Sequence, residues 1–332
     1  MPQVYTIGVL IPIWNDAPSE APDQRPLGRL AMEMEPLGVS IIFGHKIHAG
    51  ALSGWRASGK GWSPVEGVPL DAVYDRFPSQ THKQAFEEMQ CAAGDIPWCN
   101  PPGFTDLCRD KWLLQRHMET GGIKMPDCSV EVETFDVLLK DWGAAFLKPR
   151  FGSFGRGVQY VRDVEALQSA QHMWSETFGS QMVLQRAVPP PDKWAGVSVR
   201  ILCQRNADGK WITNPGVVRR SASDPVVNAA RGANLCPLDR VVDATSCARV
   251  DALMAQVCAR ISELPDSAHI LEMGVDVVLD DKERPHLIEI NGRPRGRLAS
   301  LARQEPKRFK PLHRAVVRRP FERILRLIVG GL

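Results

Sequence analysis

The sequence contains no C-x-x-C pair and no histidine pattern with metal-ligand spacing, although it has eight cysteines and eight histidines among 332 residues. Cys91, Cys99, Cys108, Cys128, Cys203, Cys236, Cys247 and Cys258 fit neither a zinc site nor a disulfide framework, so they read as reduced thiols. None has a neighbouring cue for nucleophilic catalysis, and His45, His48, His82 and His117 lack metal-ligand spacing. Excess charge of one sign is also missing. A formal net charge of +3 offers no global argument for nucleic acid as a partner. Long apolar runs are absent too: Val4–Ile11 is cut short by Pro12 and Asp16 and follows no basic segment. That pattern predicts a buried first strand instead of a signal peptide or membrane span, and hence a cytoplasmic protein. There are no repeats or low-complexity tracts, no Walker A sequence and no Rossmann fingerprint. What remains is ordinary globular composition, 44% apolar and 24% charged, in a chain long enough to bury a core without disulfides.

The pattern along the chain predicts an open α/β layer followed by two α+β units. Residues 1–108 form the first, with strand-length apolar runs at Tyr5–Ile11, Val39–Phe43 and Ala72–Tyr74. Two Pro- and Gly-rich stretches, Ala17–Leu27 and Ser53–Pro69, read as loops. The second carries Trp55 and Trp62 and is either a functional, mobile loop or a solvated linker.

Residues 109–190 begin with a helix from Asp110 to Glu119, closed by Gly121-Gly122. Strand Phe146–Lys148, a glycine loop, strand Val158–Val161, helix Val164–Phe178 and strand Met182–Gln185 follow. Residues 191–332 are strand-rich, with Val197–Gln204, Trp211–Val218, Ile270–Leu279 and His286–Ile290 interrupted by a helix near Cys247–Leu264. The stretch from Arg293 onward has only two acids, Glu305 and Glu322. Val316, Val317, Phe321, Ile324, Leu325 and Ile328 mark one apolar helical face with Arg318, Arg319, Arg323 and Arg326 between them. Such a helix is expected to dock on its own domain with its arginines in water; the alternative is a membrane or partner surface.

Three segments carry candidate chemistry. In Leu147–Val158 a lysine, Lys148, ends a strand and precedes a loop containing Gly152, Ser153, Phe154, Gly155 and Gly157. Glycines let backbone N–H groups approach phosphate oxygens closely, although a glycine hairpin without a ligand has the same composition. In Leu271–Leu279 the acidic Asp276 interrupts an apolar strand, and Leu287–Pro294 then brings Glu289 and Asn291, two residues apart and so on one face. The Asp280-Asp281-Lys282 turn would pair these strands antiparallel. Two carboxylates and an amide oxygen make a hard, oxygen-only site suited to Mg²⁺ held against nucleotide phosphates. Ordinary polar alternation on two half-exposed strands is the other reading. Third, Val183–Val188 runs into Pro189-Pro190-Pro191, a break that suits an adenine-binding hinge, an inter-domain linker, or both.

The order of these parts resembles the ATP-grasp superfamily over nearly the whole chain: Lys111, Lys148 with its glycine loop, the Gln185–Val188 hinge, Asp276, and Glu289-Ile290-Asn291. Val199-Arg200-Ile201, Val217-Val218-Arg219-Arg220 and Asn228–Ala233 are similar to the ribosomal-protein-modifying and lysine-biosynthesis ligases. The spacing and the Trp211 strand look closest to the endospore-coat-associated, YheC/YheD-like branch. The resemblance implies two subdomains sandwiching ATP, with Lys111 and Lys148 on the α- and β-phosphates and the 152–157 loop as a lid. It further implies that Gln185, Arg186 and Val188 meet the adenine, and that Asp276, Glu289 and Asn291 hold one or two Mg²⁺. Arg219, with Arg200 beside it, would stabilise the transferring phosphoryl group, and Asn228 and Arg231 would border the acceptor. Two departures stand out. Ser198 occupies a position where the family often has aspartate, which leaves the orienting partner of Arg200 open, and Ala233 replaces a usual glycine. Whether Arg219 or Arg220 faces the cleft is open as well.

The activity implied is ligation of a carboxylate to an amine of an amino acid or peptide through an acyl phosphate, with release of ADP and phosphate. A small-molecule kinase and a nucleotide-binding coat or assembly protein are the alternatives. A homodimer is compatible with the sequence; nucleic acid and membrane are not the expected partners.

Overall fold

The structure is a computed structural model that describes residues 3–12, 18–78, 82–152, 157–178, 181–227, 234–294 and 297–330. The N-terminal layer is a six-stranded sheet formed by β1 (Tyr5–Leu10), β2 (Val39–His48), β3 (Ala51–Ser58), β4 (Gly61–Pro69), β5 (Ala72–Asp75) and β6 (Trp98–Cys99), in the order β4-β3-β2-β1-β5-β6. β2, β1, β5 and β6 run parallel, and β3 and β4 extend the sheet antiparallel. Alternation along β2 sends Ile41 and Phe43 to the face covered by α1 (Pro26–Met34), and Ile42 to the face covered by α2 (Lys83–Ala93).

The stretch Ser53–Pro69, expected as a loop, is therefore most of a β-hairpin. Its glycines and prolines have strand functions. A Cβ on Gly54 would lie 2.0 Å from the Phe43 carbonyl oxygen, and the register slips beside both Gly44 and Gly54, the mark of β-bulges. Pro64 and Pro69 lie on β4, an edge strand, where a missing N–H costs no ladder bond. Trp62 packs edge-on against Phe43, with centroids 5.5 Å apart.

The second unit begins with α3 (Pro102–Arg109) and α4 (Lys111–Thr120). Asp110 caps α4, accepting from the N–H groups of Trp112 and Leu113 at 3.0 and 3.1 Å. Four antiparallel strands, β7 (Cys128–Ser129), β8 (Ala145–Pro149), β9 (Gln159–Val161) and β10 (Met182–Arg186), are ordered β7-β10-β8-β9. α5 (Phe135–Trp142) and α6 (Val164–Phe178) cover one face of this sheet through Phe135, Leu139, Leu167 and Trp174.

The third unit holds β11 (Gly196–Arg205), β12 (Trp211–Thr213), β13 (Val217–Ser221), β14 (Asn234–Pro237), α7 (Ala244–Ile261), β15 (Glu272–Leu279) and β16 (Pro285–Asn291), followed by α8 (Leu298–Gln304) and α9 (Pro306–Val329). Its sheet runs β14-β13-β11-β15-β16, with β12 pairing on β11. The single strand expected over Trp211–Val218 is split in two. Asn214 turns its side chain inward to the Leu202 carbonyl at 2.7 Å, and Pro215 has no N–H to continue a ladder.

Helix α9 also departs from expectation. Phe321, Ile324 and Leu327 sit in the core of the N-terminal sheet with Ile7, Val9 and Tyr74, so the helix joins the first layer to the third. Its arginines are not all in water: Arg319 donates to Gln204 Oε1 at 2.7 Å and Asn214 Oδ1 at 3.1 Å, and Arg323 donates to the Ala207 carbonyl. Among the described residues, no helix is long and apolar enough to cross a membrane.

Glu272, at the head of β15, locks the layers together. Its carboxylate accepts from Tyr74 Oη at 2.6 Å, Arg76 Nη1 at 2.5 Å and Gln204 Nε2 at 2.9 Å. Asn100 ties the same place from the other side, donating to the carbonyls of Glu272 and Gly292 and accepting from the Leu271 N–H. Removing one partner of a buried ion pair leaves the other charge uncompensated. Glu272→Ala is therefore expected to cost about 3–5 kcal/mol in urea unfolding; a loss below about 1 kcal/mol would show that the layers are held by something else.

Candidate active site

The second and third units turn polar faces toward each other. On β8, Ala145, Leu147 and Pro149 enter the helix-covered core, which sends Phe146 and Lys148 to the opposite face. The antiparallel register sets Val183 against Lys148 and Gln185 against Phe146 on that face. Lys148 Nζ donates to Gln185 Oε1 at 2.5 Å. Gln185 is itself buried next to Gln115, which is held by the Pro126 carbonyl at 3.0 Å and Glu119 at 2.9 Å. Lys111, the first residue of α4, donates Nζ to the carbonyls of Pro149 and Gly152 at 3.0 and 3.1 Å. The two lysines thus meet at the root of the glycine loop. Burial pushes Lys148 down to about 8, with Glu289 opposing and Lys111 adding to the shift. Burial lowers Lys111 too, against Glu289 and Asp110.

The facing strands supply the acids. β15 and β16 pair Asp276 with Glu289 and Gly274 with Asn291, so all three candidate metal ligands share a face. Asn291 Nδ2 lies 3.3 Å from Asp276 Oδ2 and 3.2 Å from Glu289 Oε1. Arg200 lies directly across β11 from Asp276 and grips it with two nitrogens, Nε at 2.5 Å. Arg219 reaches across from β13 and donates to Asp276 Oδ1 at 2.7 Å. Burial alone would raise the Asp276 carboxyl, but Arg200 and Arg219 hold it well below the usual carboxylate range.

Register answers both questions about the arginines. Arg219 pairs with Ser198, on the same face as Arg200, whereas Arg220 pairs with Val197 and turns to the other side, near the Trp194 ring. The partner that Ser198 could not supply to Arg200 is Asp276. Ser198 Oγ and Arg219 Nε, on paired positions, are buried and have no hydrogen-bond partner among the described residues.

Other candidates are placed less centrally. The side chain of Arg186 points outward to Asp127 at 3.4 Å, leaving only its backbone near the cleft. Val188, just before the three prolines, lies beyond the last pair of β10, and among the described residues its N–H has no partner. Gly157 has φ +75°, and a Cβ there would meet the Trp174 ring at 2.0 Å, so packing accounts for this glycine. Ser153, Phe154, Gly155, Asn228 and Arg231 lie outside the described residues.

Two features of the site were not singled out from sequence. Arg150 pairs with Asp110 at 2.9 and 2.7 Å and so ties the Lys111 helix to the loop root; the signal was an N-cap aspartate and an arginine two residues past Lys148. Gly274 leaves space for Arg200: a Cβ there would sit 3.1 Å from the guanidinium and 2.9 Å from Pro294. Only a contact map exposes that requirement.

The electrostatics suit a metal–polyphosphate. Four cations, Lys111, Lys148, Arg200 and Arg219, face two carboxylates, and among the described residues neither lysine has a carboxylate within 4.0 Å. No group of three His, Cys, Asp or Glu side chains that could hold a metal occurs among the described residues. The set Asp276, Glu289 and Asn291 could offer Mg²⁺ oxygen ligands but too few to close its shell, as would fit an ion shared with phosphates and water.

Two subdomains facing each other across such a cleft, behind an N-terminal α/β layer, define an ATP-grasp protein. The chain belongs to the YheC/D-like ATP-grasp family, whose sequence model matches residues 95–322. Solved structures share the fold across the chain. D-alanyl-alanine synthetase A from Vibrio cholerae matches with a TM-score of 0.61 at 16% identity, over 98% of this chain and 100% of the other. A RimK domain ATP-grasp protein from Sphaerobacter thermophilus matches with 0.54 at 15% identity, over 98% and 100%. The biotin carboxylase domain of Hydrogenobacter thermophilus 2-oxoglutarate carboxylase, solved as a dimer with MgADP and bicarbonate, matches with 0.63 at 14% identity, over 99% and 70%. No curated protein matches the chain.

The lowered Lys148 implies a pH dependence with a definite sign. Its ammonium form is populated below about 8 and lost above it, so a bound polyphosphate loses this partner as pH rises. MgADP affinity measured by calorimetry is expected to fall as pH rises through about 8, with proton uptake on binding near that pH. Lys148→Met should bind more weakly and flatten this profile; an unchanged slope in that variant would refute the assignment.

Proposed function

We propose that the protein is an ADP-forming ligase that joins a carboxylate to an amine of amino acids or peptides through an acyl phosphate. The observation that carries this reading is the convergence of Lys148 from one sheet and Glu289 from the other, with Glu289 close enough to oppose the effect of burial on Lys148. A cleft able only to hold an adenine would not need cations from one subdomain facing acids from the other. The MgADP in the similar carboxylase domain supports the nucleotide assignment, and the D-alanyl-alanine synthetase supports the bond type.

In this reading the Gln185–Val188 hinge receives adenine, with the Val188 N–H as a donor to its edge. Lys111 and Lys148 hold the α- and β-phosphates beneath the 152–157 loop, which closes as a lid against water. Asp276, Glu289 and Asn291 would hold Mg²⁺, which when bound would supply charge neutralisation to the phosphates. Arg219 and Arg200 face the transferring phosphoryl group, where two anions must be brought together, and stabilise the charge that develops there. Asn228 and Arg231 border the acceptor. The chain needs no nucleophile of its own. Accordingly, the Cys99 thiol is pushed up to about 12 and the Cys108 thiol higher still, both chiefly by burial.

Purified protein with MgATP and pooled amino acids or short peptides is expected to release ADP and a ligated product, and to form a hydroxamate when hydroxylamine is added. Release of AMP, or an acid-stable phosphorylated product, would overturn the ligase reading, the latter in favour of a kinase. Glu289→Ala is expected to abolish turnover with little change in the thermal melt, because Glu289 contributes a ligand and little core packing. Near-normal rates in that variant would sink the metal assignment.

A further inference from the structure

Every carboxylate oxygen that the proposed metal site would draw on at Asp276 already accepts from internal donors. Asp276 Oδ1 accepts from Arg200 Nε at 2.5 Å and from Arg219 at 2.7 Å. Asp276 Oδ2 accepts from a second Arg200 nitrogen and from Asn291 Nδ2 at 3.3 Å. The same Asn291 nitrogen reaches Glu289 Oε1 at 3.2 Å, and Arg200 stands 4.0 Å from that oxygen. A divalent cation needs these lone pairs for itself. It would also arrive beside two guanidiniums and be repelled by them.

The grip is deep. Asp276 is 5% exposed and Arg219 8%. Releasing the arginines with nothing in exchange would leave buried cations without an anion, which is strongly unfavourable. Phosphate oxygens remove both obstacles at once: they accept from the guanidiniums and complete the cation's shell. A place for the released Arg219 also exists. Ser198 Oγ, at the paired position on β11, is buried and has no partner among the described residues, as is the case for Arg219 Nε.

We propose that Arg200 and Arg219 form a latch that shuts the Asp276–Glu289–Asn291 site to free divalent cations and opens it to a cation arriving with a polyphosphate. The latch rests on the nucleotide-and-metal reading above. It sets an order of binding in which the metal never precedes the nucleotide, and it keeps the site clear of whatever free divalent ions the surroundings contain.

The test uses Mn²⁺ as probe on the full chain, reading protein-bound ion by its enhancement of water-proton relaxation, with and without ADP. Wild-type protein is expected to bind no Mn²⁺ up to millimolar concentration alone and to bind it once ADP is present. Arg200→Met and Arg219→Met are each expected to gain nucleotide-independent Mn²⁺ binding, tighter than wild type by on the order of 10-fold, the scale of a lost partner to a metal ligand. Glu289→Gln, in the presence of ADP, should bind less Mn²⁺ than wild type, which locates the ion. Equal Mn²⁺ affinity of the wild type with and without ADP overturns the latch, and that comparison needs no variant to fold. Arginine variants with native near-ultraviolet dichroism and no gain also overturn it. If ADP binds but recruits no Mn²⁺, the metal site itself is wrong and the latch falls with it; if ADP does not bind, the nucleotide reading has failed first.

Discussion

A buried carboxylate must be paired to remain charged, and strand β15 buries two of them on one face, Glu272 and Asp276. The pairing of each organises a different part of the molecule. Glu272 draws Tyr74 and Arg76 from the N-terminal sheet and Gln204 from β11. Asp276, four residues on, draws Arg200 from β11 beside it and Arg219 from β13, one strand further. Gly274 between them carries no side chain, and Arg200 lies in the space this leaves. One strand therefore both fastens the layers and builds the acidic wall of the cleft.

The opposing wall works by a different balance. Lys111 and Lys148 are half-buried in their own subdomain, where among the described residues their hydrogen-bond partners are carbonyl and amide oxygens. Such groups orient an ammonium without neutralising it, which is why burial lowers both lysines. The arginines, by contrast, share Asp276 as an anionic partner. In the proposed reading, a polyphosphate entering this cleft would meet two cations ready to receive it and two that would first exchange partners. The asymmetry follows from chemistry: a guanidinium keeps its charge in a bidentate pair, whereas an ammonium adjusts its proton affinity to its surroundings.

Much of the fold was legible because strand periodicity and length mark buried parallel and antiparallel strands directly. Tyr5–Leu10, Ala145–Pro149, Met182–Arg186 and Pro285–Asn291 all stand where alternation and boundaries placed them, give or take a residue or two. The differences have separate causes. Glycine and proline in Ser53–Pro69 suggest a loop by composition, and they serve instead as bulge and edge-strand residues of a hairpin. In Trp211–Val218 the converse happened: an apolar pattern hid the break at Asn214-Pro215. The apolar stripe of α9 was visible, but the surface it covers was not, because a helix pattern gives the width of a buried face and not its partner.

By itself the sequence determined the element types, the two-residue spacing that puts Glu289 beside Asn291, and the glycine loop next to Lys148, since all of these depend on local backbone geometry. The tertiary structure decided that Arg219 and not Arg220 enters the cleft, that Asp276 and not residue 198 orients Arg200, and that Asp110 and Arg150 tie the Lys111 helix to the loop. Each of these depends on which strands lie side by side and in what register, and that is settled by the burial of a shared core across dozens to hundreds of residues of chain. A one-residue slip of their strands would send Arg200, Arg219 and Asp276 to the other face.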